Sequence, residues 1–326
     1  MRDNEGREIE YLRLSVTDRC NLRCVYCMPE EGVENASHLS ILTYEEMVRI
    51  CRVFAKHGLK HIKITGGEPL VRKGVVGLVR CLKAIDGIES VTLTTNGVLL
   101  EKYYEELVDA GIDAITVSLD TLDSEMFQRI TRRDELESVL RGVRKAIEAN
   151  QVRFKINCVP MDDLNTEGIR ELVSFAKNHD VDVRFIEMMP IGYGSRFEYV
   201  SEKAIKHVIE DSFGPMTECF EKRGNGPAVY FDVPGFKGKI GLISAVSHGF
   251  CHTCNRVRLT AEGYLKTCLQ YDYGVDLKEL LRRDMDDDIL WSAMETAILQ
   301  KPKAHHFIEK ERTEDDELRG MSQIGG

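Results

Sequence analysis

Six cysteines fall into two groups of three, one near each end of the chain. Cys20, Cys24 and Cys27 are spaced C-x3-C-x2-C, while Cys251 and Cys254 are followed by Cys268 after thirteen intervening residues. A saturated zinc or iron–sulfur site usually takes four protein ligands, and each group stops one short. A [4Fe–4S] cube held by three thiolates keeps one iron free to bind and activate a small molecule. The alternative is zinc completed from elsewhere: His38 is the nearby candidate for the first group, and His248 or His252 for the second. Cys51, Cys81, Cys158 and Cys219 sit in apolar helix or strand patterns and read as small buried hydrophobes.

A second motif, Thr65-Gly66-Gly67-Glu68-Pro69, ends a strand-like run. Paired glycines let a backbone approach a ligand closely, and Glu68 offers a carboxylate to an ammonium group. Taken alone the pair is a routine turn. It lacks the Gly-Lys-Ser/Thr ending of a phosphate-binding P-loop.

The elements that must position these residues alternate regularly. Strand-like runs at 11–16, 61–65, 90–95, 113–119, 153–159 and 182–188 are separated by helix-like stretches at 44–57, 73–85, 101–110, 136–150 and 167–178. Such alternation predicts a parallel α/β sheet. Within the strands, Arg13, Lys63, Thr92, Thr94, Thr116, Ser118, Asp120, Lys155 and Asn157 alternate with aliphatic neighbours. Each strand therefore has one apolar face for helices to cover and one polar face, unlike the aliphatic filling of an ordinary barrel. Arg13, Lys63 and Lys155 on that polar face require anions; internal carboxylates such as Asp120 or Glu187 are one source, a bound anionic ligand the other. Beyond residue 190 glycines break the pattern, with strands at 228–233 and 239–244 and helices at 277–283 and 289–300. His305 and His306 look like a catalytic pair but read as part of an exposed, charged, frayed tail. Residues 1–10 hold no site.

The chain has 326 residues, 43% apolar and 30% charged, with a net charge of −10. That field disfavours nonspecific binding to nucleic acid or an anionic membrane. The first residues contain no apolar signal core and no run reaches membrane-spanning length, so a cytoplasmic protein is expected. In a reducing compartment clustered cysteines bind metal rather than form disulfides.

C-x3-C-x2-C with Tyr26 before the last cysteine, the following Gly-Gly-Glu-Pro, and the (βα)6 alternation resemble the radical S-adenosylmethionine (SAM) superfamily. Cys251-His-Thr-Cys254-Asn255-Arg256-Val257-Arg258, then Cys268 and the terminal Gly325-Gly326, are similar to the GTP 3′,8-cyclase family within it. The resemblance implies a partial (βα)6 TIM-type barrel over residues 1–220, closed at one side by an α+β segment, 221–326, that brings a second cluster. It implies [4Fe–4S] clusters on Cys20, Cys24 and Cys27 and on Cys251, Cys254 and Cys268. SAM would meet Tyr26, Gly67, Ser118 and Met189. GTP would meet Arg13, Lys63, Thr94, Lys155, Arg256, Val257 and Arg258, with the two last arginines projecting on one face and suited to bidentate contacts. Lys63 stands where the family often has Arg, so the charge is kept and the planar fork lost. Arg184 is expected to assist at the ribose or at SAM, and Gly325 and Gly326 to reach the active site. The implied reaction is cyclisation of GTP, the first step of molybdenum cofactor synthesis. A one-electron reductant, a downstream cyclic pyranopterin monophosphate synthase and a homodimer are the implied partners. The rivals are another radical SAM enzyme with an auxiliary cluster, such as a peptide-modifying maturase, or a zinc protein that binds nucleic acid.

Overall fold

A computed structural model describes every residue except 35, 38 and 309–312, and the side chain of Asp163. His38, the candidate fourth ligand of the first thiol group, lies outside the described residues. The six expected strands are β1 Tyr11–Ser15, β2 His61–Thr65, β3 Ser90–Thr95, β4 Ala114–Ser118, β5 Arg153–Cys158 and β6 Asp182–Ile186. They run in sequence order, each parallel to the next. Six more follow: β7 Thr217–Cys219, β8 Val229–Asp232, β9 Ile240–Ile243, β10 Arg256–Leu259, β11 Tyr264–Lys266 and β12 Gly274–Asp276. The sheet order is β12-β11-β10-β1-β2-β3-β4-β5-β6-β9-β8-β7, and it does not close.

β9 lies parallel to β6 and β10 parallel to β1. The half-barrel is thus extended at both edges by strands that are neighbours in sequence. The segment between them, residues 244–255, must pass from one edge to the other, and it carries Cys251 and Cys254. That is how a distant part of the chain reaches the mouth of the barrel.

Helices α1 Tyr44–Ala55, α2 Val75–Lys83, α3 Leu100–Asp109, α4 Ser124–Thr131, α5 Leu136–Ala149, α6 Asp162–Asn165 and α7 Ile169–Asn178 connect the first six strands. After them come α8 Glu202–Phe213, α9 Leu277–Arg282, α10 Asp287–Leu299 and α11 Met321–Ile324. Thr43 opens α1 with a capping box: its hydroxyl accepts from the Glu46 amide at 3.1 Å and its own amide donates to the Glu46 carboxylate at 2.7 Å, satisfying two amides that the helix leaves unpaired. The α helices lie over the apolar strand face, where Leu12, Leu14, Ile62, Ile64, Val91 and Leu93 are buried.

α4 and α8 were not expected. Both begin with a legible cap, Asp123 accepting from the Met126 amide and Ser201 from that of Ala204. Both also bury an i, i+4 or i, i+3 apolar pair, Ile205 with Ile209 and Phe127 with Ile130. Three further expectations fail. Of the four lone cysteines, Cys51 and Cys158 are buried, but Cys81 is exposed and Cys219 half-buried. The tail is not frayed where described: Lys301, Phe307, Glu317 and Ile324 are buried. Residues 1–10 are not idle either, because Arg7 is buried and bonded to the second thiol region.

Candidate functional site

The polar strand faces, the first cysteine loop and the C-terminal segment enclose a cavity of about 980 Å³, at the upper end of the range for ligand sites, roughly 300–1,000 Å³. Both thiol groups line it, as do Tyr26, Gly67, Ser118, Met189, Arg13, Lys63, Thr94, Lys155, Arg184, Arg256, Arg258 and Gly326. Val257 does not. Its side chain is 1% exposed in the apolar core, as the two-residue period of β10 requires when Arg256 and Arg258 face inward.

The first group follows β1. The Cys20 thiol accepts from the Leu22 amide at 3.4 Å and the Asn96 side chain at 3.7 Å. Burial, then Glu68, pushes this thiol up to about 11. Burial, then Cys20, pushes Cys27 up to about 12, and burial with Cys27 and Asp120 raises Cys24 further. Three crowded thiols of this kind ionise together only if a cationic group joins them, which suits an iron cluster. Gly67 is demanded by the neighbouring loop: an added Cβ would stand 2.5 Å from the Arg19 carbonyl oxygen.

Glu68 is not available to an ammonium group. It is fully buried, and its carboxylate accepts from the Thr95 hydroxyl (2.8 Å) and the amides of Leu70 (2.9 Å) and Asn96 (2.6 Å). Burial pushes it up to about 7 in spite of those donors. Its role is to pin the Gly-Gly loop to the end of β3. Tyr26 donates to Asp120 at 2.7 Å.

The second group lies where segments 251–254 and 267–268 meet the tail. The His305 amide donates to the Cys251 thiol at 3.4 Å. His305 and His306 are half-buried, and the His306 ring packs against Tyr271 with 2.7 Å between Nδ1 and the phenol oxygen, which corrects the exposed-tail reading. Burial raises the Cys254 thiol, but Lys301 and Arg256 outweigh it and hold the group at about 7. Two residues unmarked in sequence assemble this region. Arg7 donates to the carbonyls of Cys251 (3.0 Å), Lys303 (3.1 Å), Lys301 (3.3 Å) and Pro302 (2.9 Å), and is paired with Asp3 at 2.6 Å. Lys301 is the other.

Among the described residues no three His, Cys, Asp or Glu side chains converge on one ion position. Tetrahedral zinc, with bonds of about 2.3 Å to sulfur, would require such convergence. Thiolates on three separate irons of a cube stand wider apart.

Among the cations that line the cavity are six on the barrel strands and β10: Arg13, Lys63, Lys155, Arg184, Arg256 and Arg258. Register sets Arg13 beside Lys63 and Arg258, and Arg184 beside Asn157. Of the six, only Lys155 has a carboxylate within ion-pair distance among the described residues, Asp182 at 3.6 Å; the Tyr230 hydroxyl also lies 2.7 Å from it. Asp120 and Glu187 do not serve: Asp120 is bonded to Tyr26 and the Val159 amide, Glu187 to the amides of Glu202, Val246 and Ser247. Arg184 is held by Asn157 (2.8 Å) and Thr116 (3.2 Å). Arg13 donates to the Gly326 carbonyl and Arg258 to that of Gly325 at 2.5 Å. Burial lowers Lys63 well below the usual lysine range, reinforced by Arg184 and Arg13.

The profile of the radical SAM superfamily matches residues 14–176, and that of "Molybdenum Cofactor Synthesis C" matches residues 181–307. The fold is also that of a Streptococcus suis protein, SuiB bound to S-adenosylmethionine. That likeness has a TM-score of 0.64 and 18% identity, covering 90% of this chain and 68% of that one. The chain is 42% identical over 326 residues to the GTP 3′,8-cyclase of Clostridium perfringens (strain SM101 / Type A), and 44% identical over 333 residues to that of Petrotoga mobilis, with each chain covered in full. It belongs to the GTP 3′,8-cyclase family.

Proposed function

We propose that this chain is a radical SAM lyase that converts GTP to (8S)-3′,8-cyclo-7,8-dihydroguanosine 5′-triphosphate, the first step of molybdenum cofactor biosynthesis. The observation that carries the reading is one cavity bordered by two three-thiol groups, with Arg13, Lys63, Lys155, Arg184, Arg256 and Arg258 between them, of which Lys155 alone meets a carboxylate within ion-pair distance among the described residues. Cys20, Cys24 and Cys27 would hold one [4Fe–4S] cluster, and Cys251, Cys254 and Cys268 the second. When bound, the first cluster and SAM would supply the one-electron radical chemistry that joins the ribose of GTP to its guanine.

The chain's own residues orient and enclose. Arg13, Lys63, Lys155 and Arg258 supply the positive field a triphosphate needs, and Thr94 a hydroxyl. Tyr26, Gly67, Ser118 and Met189 border the volume beside the first thiol group, where SAM would lie. Arg256 lies over Phe250, 4.9 Å from its ring centre, and both line the cavity. Arg184 is fixed by Asn157 and Thr116 and is suited to the ribose. Arg13 and Arg258 both hold carbonyls of the Gly325–Gly326 tail, which would restrict water and hold the two arginines in place. Positioning is the main task, because a carbon radical abstracts whichever hydrogen is nearest. The one-electron donor, delivery of product to cyclic pyranopterin monophosphate synthase, a homodimer, a cytoplasmic setting and the division of the chain near residue 220 belong to the same proposal.

The test is anaerobic. Reconstituted protein should hold about eight irons from two four-iron cubes, and about four when all cysteines of either group become Ala. Given SAM, GTP and dithionite, it should release 5′-deoxyadenosine and the cyclised nucleotide in equal amounts by mass spectrometry. Two full clusters with no GTP-dependent deoxyadenosine would overturn the assignment.

A further inference from the structure

A buried ammonium group is costly unless acceptors and a counter-charge surround it. Lys301 is 6% exposed, just beyond α10. Its Nζ donates to the carbonyls of Arg256 at 2.9 Å and Thr267 at 2.5 Å. Those carbonyls lie beside Cys254 and Cys268 in the chain. The third thiol segment joins through Arg7, which donates both to the Cys251 carbonyl and to that of Lys301. Arg7 is neutralised by Asp3, whose side chain is fully buried against it. No carboxylate among the described residues matches Lys301. It borders the cavity together with Cys251, Cys254 and Cys268.

The first thiol group has neighbours of the opposite sign. Asn96 donates its amide to the buried carboxylate of Glu68 and its side chain toward Cys20. Tyr26, next to Cys27, donates to the buried carboxylate of Asp120. The chain thus places a buried, unmatched cation at one thiol group, whereas at the other the half-buried Arg23, which donates to the Cys20 carbonyl at 2.7 Å, is set against two buried carboxylates.

We propose that Lys301 is a positioning residue that ties the three thiol segments together and, through its unmatched charge, makes the second cluster easier to reduce than the first. The proposal rests on the second thiol group holding a cluster, as assigned above. Reduction adds one electron, supplied by dithionite, and makes the cluster one unit more negative with no bond made or broken. A fixed cation in a poorly solvated site stabilises that added charge, and buried carboxylates oppose it.

The test uses full-length chain in which Cys20, Cys24 and Cys27 are Ala, reconstituted so that only the second group is loaded. Its iron and sulfide are counted, and its reduced-cluster EPR signal is followed in a dithionite titration with mediators. Four irons per chain are expected; their absence from the parent protein would refute the cluster assignment itself, and so is separable from failure of this proposal. Lys301→Met and Lys301→Gln should shift the midpoint to more negative potential, and Lys301→Arg should restore it. The same midpoint in the neutral variants and the parent would overturn the proposal. If the neutral variants retain no iron while Lys301→Arg does, with unchanged circular dichroism, charge is what holds the site and the proposal stands. If Lys301→Arg also fails to load, the bridging geometry rather than the charge is responsible and the proposal falls. In the parallel chain with the second group removed, the first cluster should titrate at lower potential than the second; the reverse order would equally overturn it.

Discussion

The docking of the C-terminal tail can be tested through one buried ion pair. Lys266 on β11 is fully buried and pairs with Glu317, itself 2% exposed as a side chain; Lys266 also donates to the Tyr271 carbonyl at 2.7 Å. Arg319 adds a second cation on the same carboxylate at 2.8 Å. Eight residues after Glu317 the chain reaches Gly325, whose φ is +80° and whose Cβ, if present, would stand 2.8 Å from that of Ser15. The tail thus threads a tight place, and Glu317 is its nearest firm anchor. Glu317→Ala would leave Lys266 inside the protein without its main partner. Removing one member of a buried pair costs about 3–5 kcal/mol. Asp272, 3.5 Å from Lys266 and about half exposed, would take over part of the role, so about 3 kcal/mol is the better figure.

That cost falls on the docked tail more than on the barrel, because α11 and the Gly-Gly end can detach without opening the sheet. At about 1.4 kcal/mol per tenfold, the opening equilibrium of residues 317–326 should rise by roughly two orders of magnitude. Hydrogen exchange read by mass spectrometry on the C-terminal peptide would report this, since the Gly325 amide is bonded to the Met321 carbonyl at 3.0 Å. Peptides from β1–β6 should stay within a factor of about three of the parent, the usual reach of experimental and distant effects. The double variant Lys266→Met, Glu317→Leu should return the tail to near-parental protection, because an apolar pair of similar volume replaces a buried ionic one at little cost. Unchanged exchange in Glu317→Ala would refute the reasoning, and the tail would have to be held by its glycine contacts alone.

Three other outcomes follow from single sites. Gly67→Ala drives a methyl group against the carbonyl oxygens of Arg19 and Asp18, at 2.5 and 2.6 Å, and should displace the first thiol loop. SAM binding by calorimetry should weaken at least tenfold, with about 1–3 kcal/mol of overpacking cost. Lys63→Met removes a cation that has no carboxylate within ion-pair distance among the described residues. Its melting temperature should therefore rise by about 2 °C for roughly 1 kcal/mol, while GTP affinity falls tenfold or more; a variant that loses both would contradict the anion-site reading. Lys155 is lowered to about 7, first by burial and then by Arg184, with Asp182 opposing. The folded protein then binds fewer protons here than the unfolded chain between pH 7 and about 10, so this group adds stability as pH rises through that window and loses it toward pH 7. GTP requires the charged form, so its affinity should fall from pH 7.5 to 9, above the phosphate's own ionisation near 6, and binding should take up protons. Lys155→Arg should flatten the profile, and an equally steep fall in that variant would assign the effect elsewhere.

The chemistry was legible in the sequence because it is written at short range. Cysteine spacing needs no fold to be read, and the two-residue period of β1–β5 exposed the polar lining before any strand was placed. Pairings across the fold were not legible. That β9 and β10 would flank opposite edges follows from parallel pairing between distant segments, which leaves no local mark. Glu68 could be seen as a carboxylate beside two glycines, but its three donors come from the end of β3 and its own loop. The charged end of the chain read as solvated because its charges were counted singly, whereas Glu317 meets Lys266 and Arg319. Arg7 and Lys301 escaped for the same reason, since nothing nearby in sequence marks either as buried.

The distribution of charge ties these observations together. The chain carries −10 overall, yet it turns Arg13, Lys63, Lys155, Arg184, Arg256 and Arg258 toward one cavity, and among the described residues Lys155 alone of these has a carboxylate within ion-pair distance. Burial lowers Arg13 to about 10, with Tyr11 opposing and Arg256 and Arg184 adding to it, and burial with Arg13 and Arg256 drives Arg258 well below the usual arginine range. A protein selected for stability alone would have matched or removed such charges. The unmatched set is instead a reserve of binding energy, released when an anion of several charges enters. Two of the arginines are meanwhile held by tail carbonyls, which are neutral acceptors. They satisfy donors without cancelling charge, so the guanidiniums stay ordered while the field that attracts a triphosphate remains intact. The net charge of −10 meanwhile disfavours nonspecific attraction of polyanions elsewhere on the molecule.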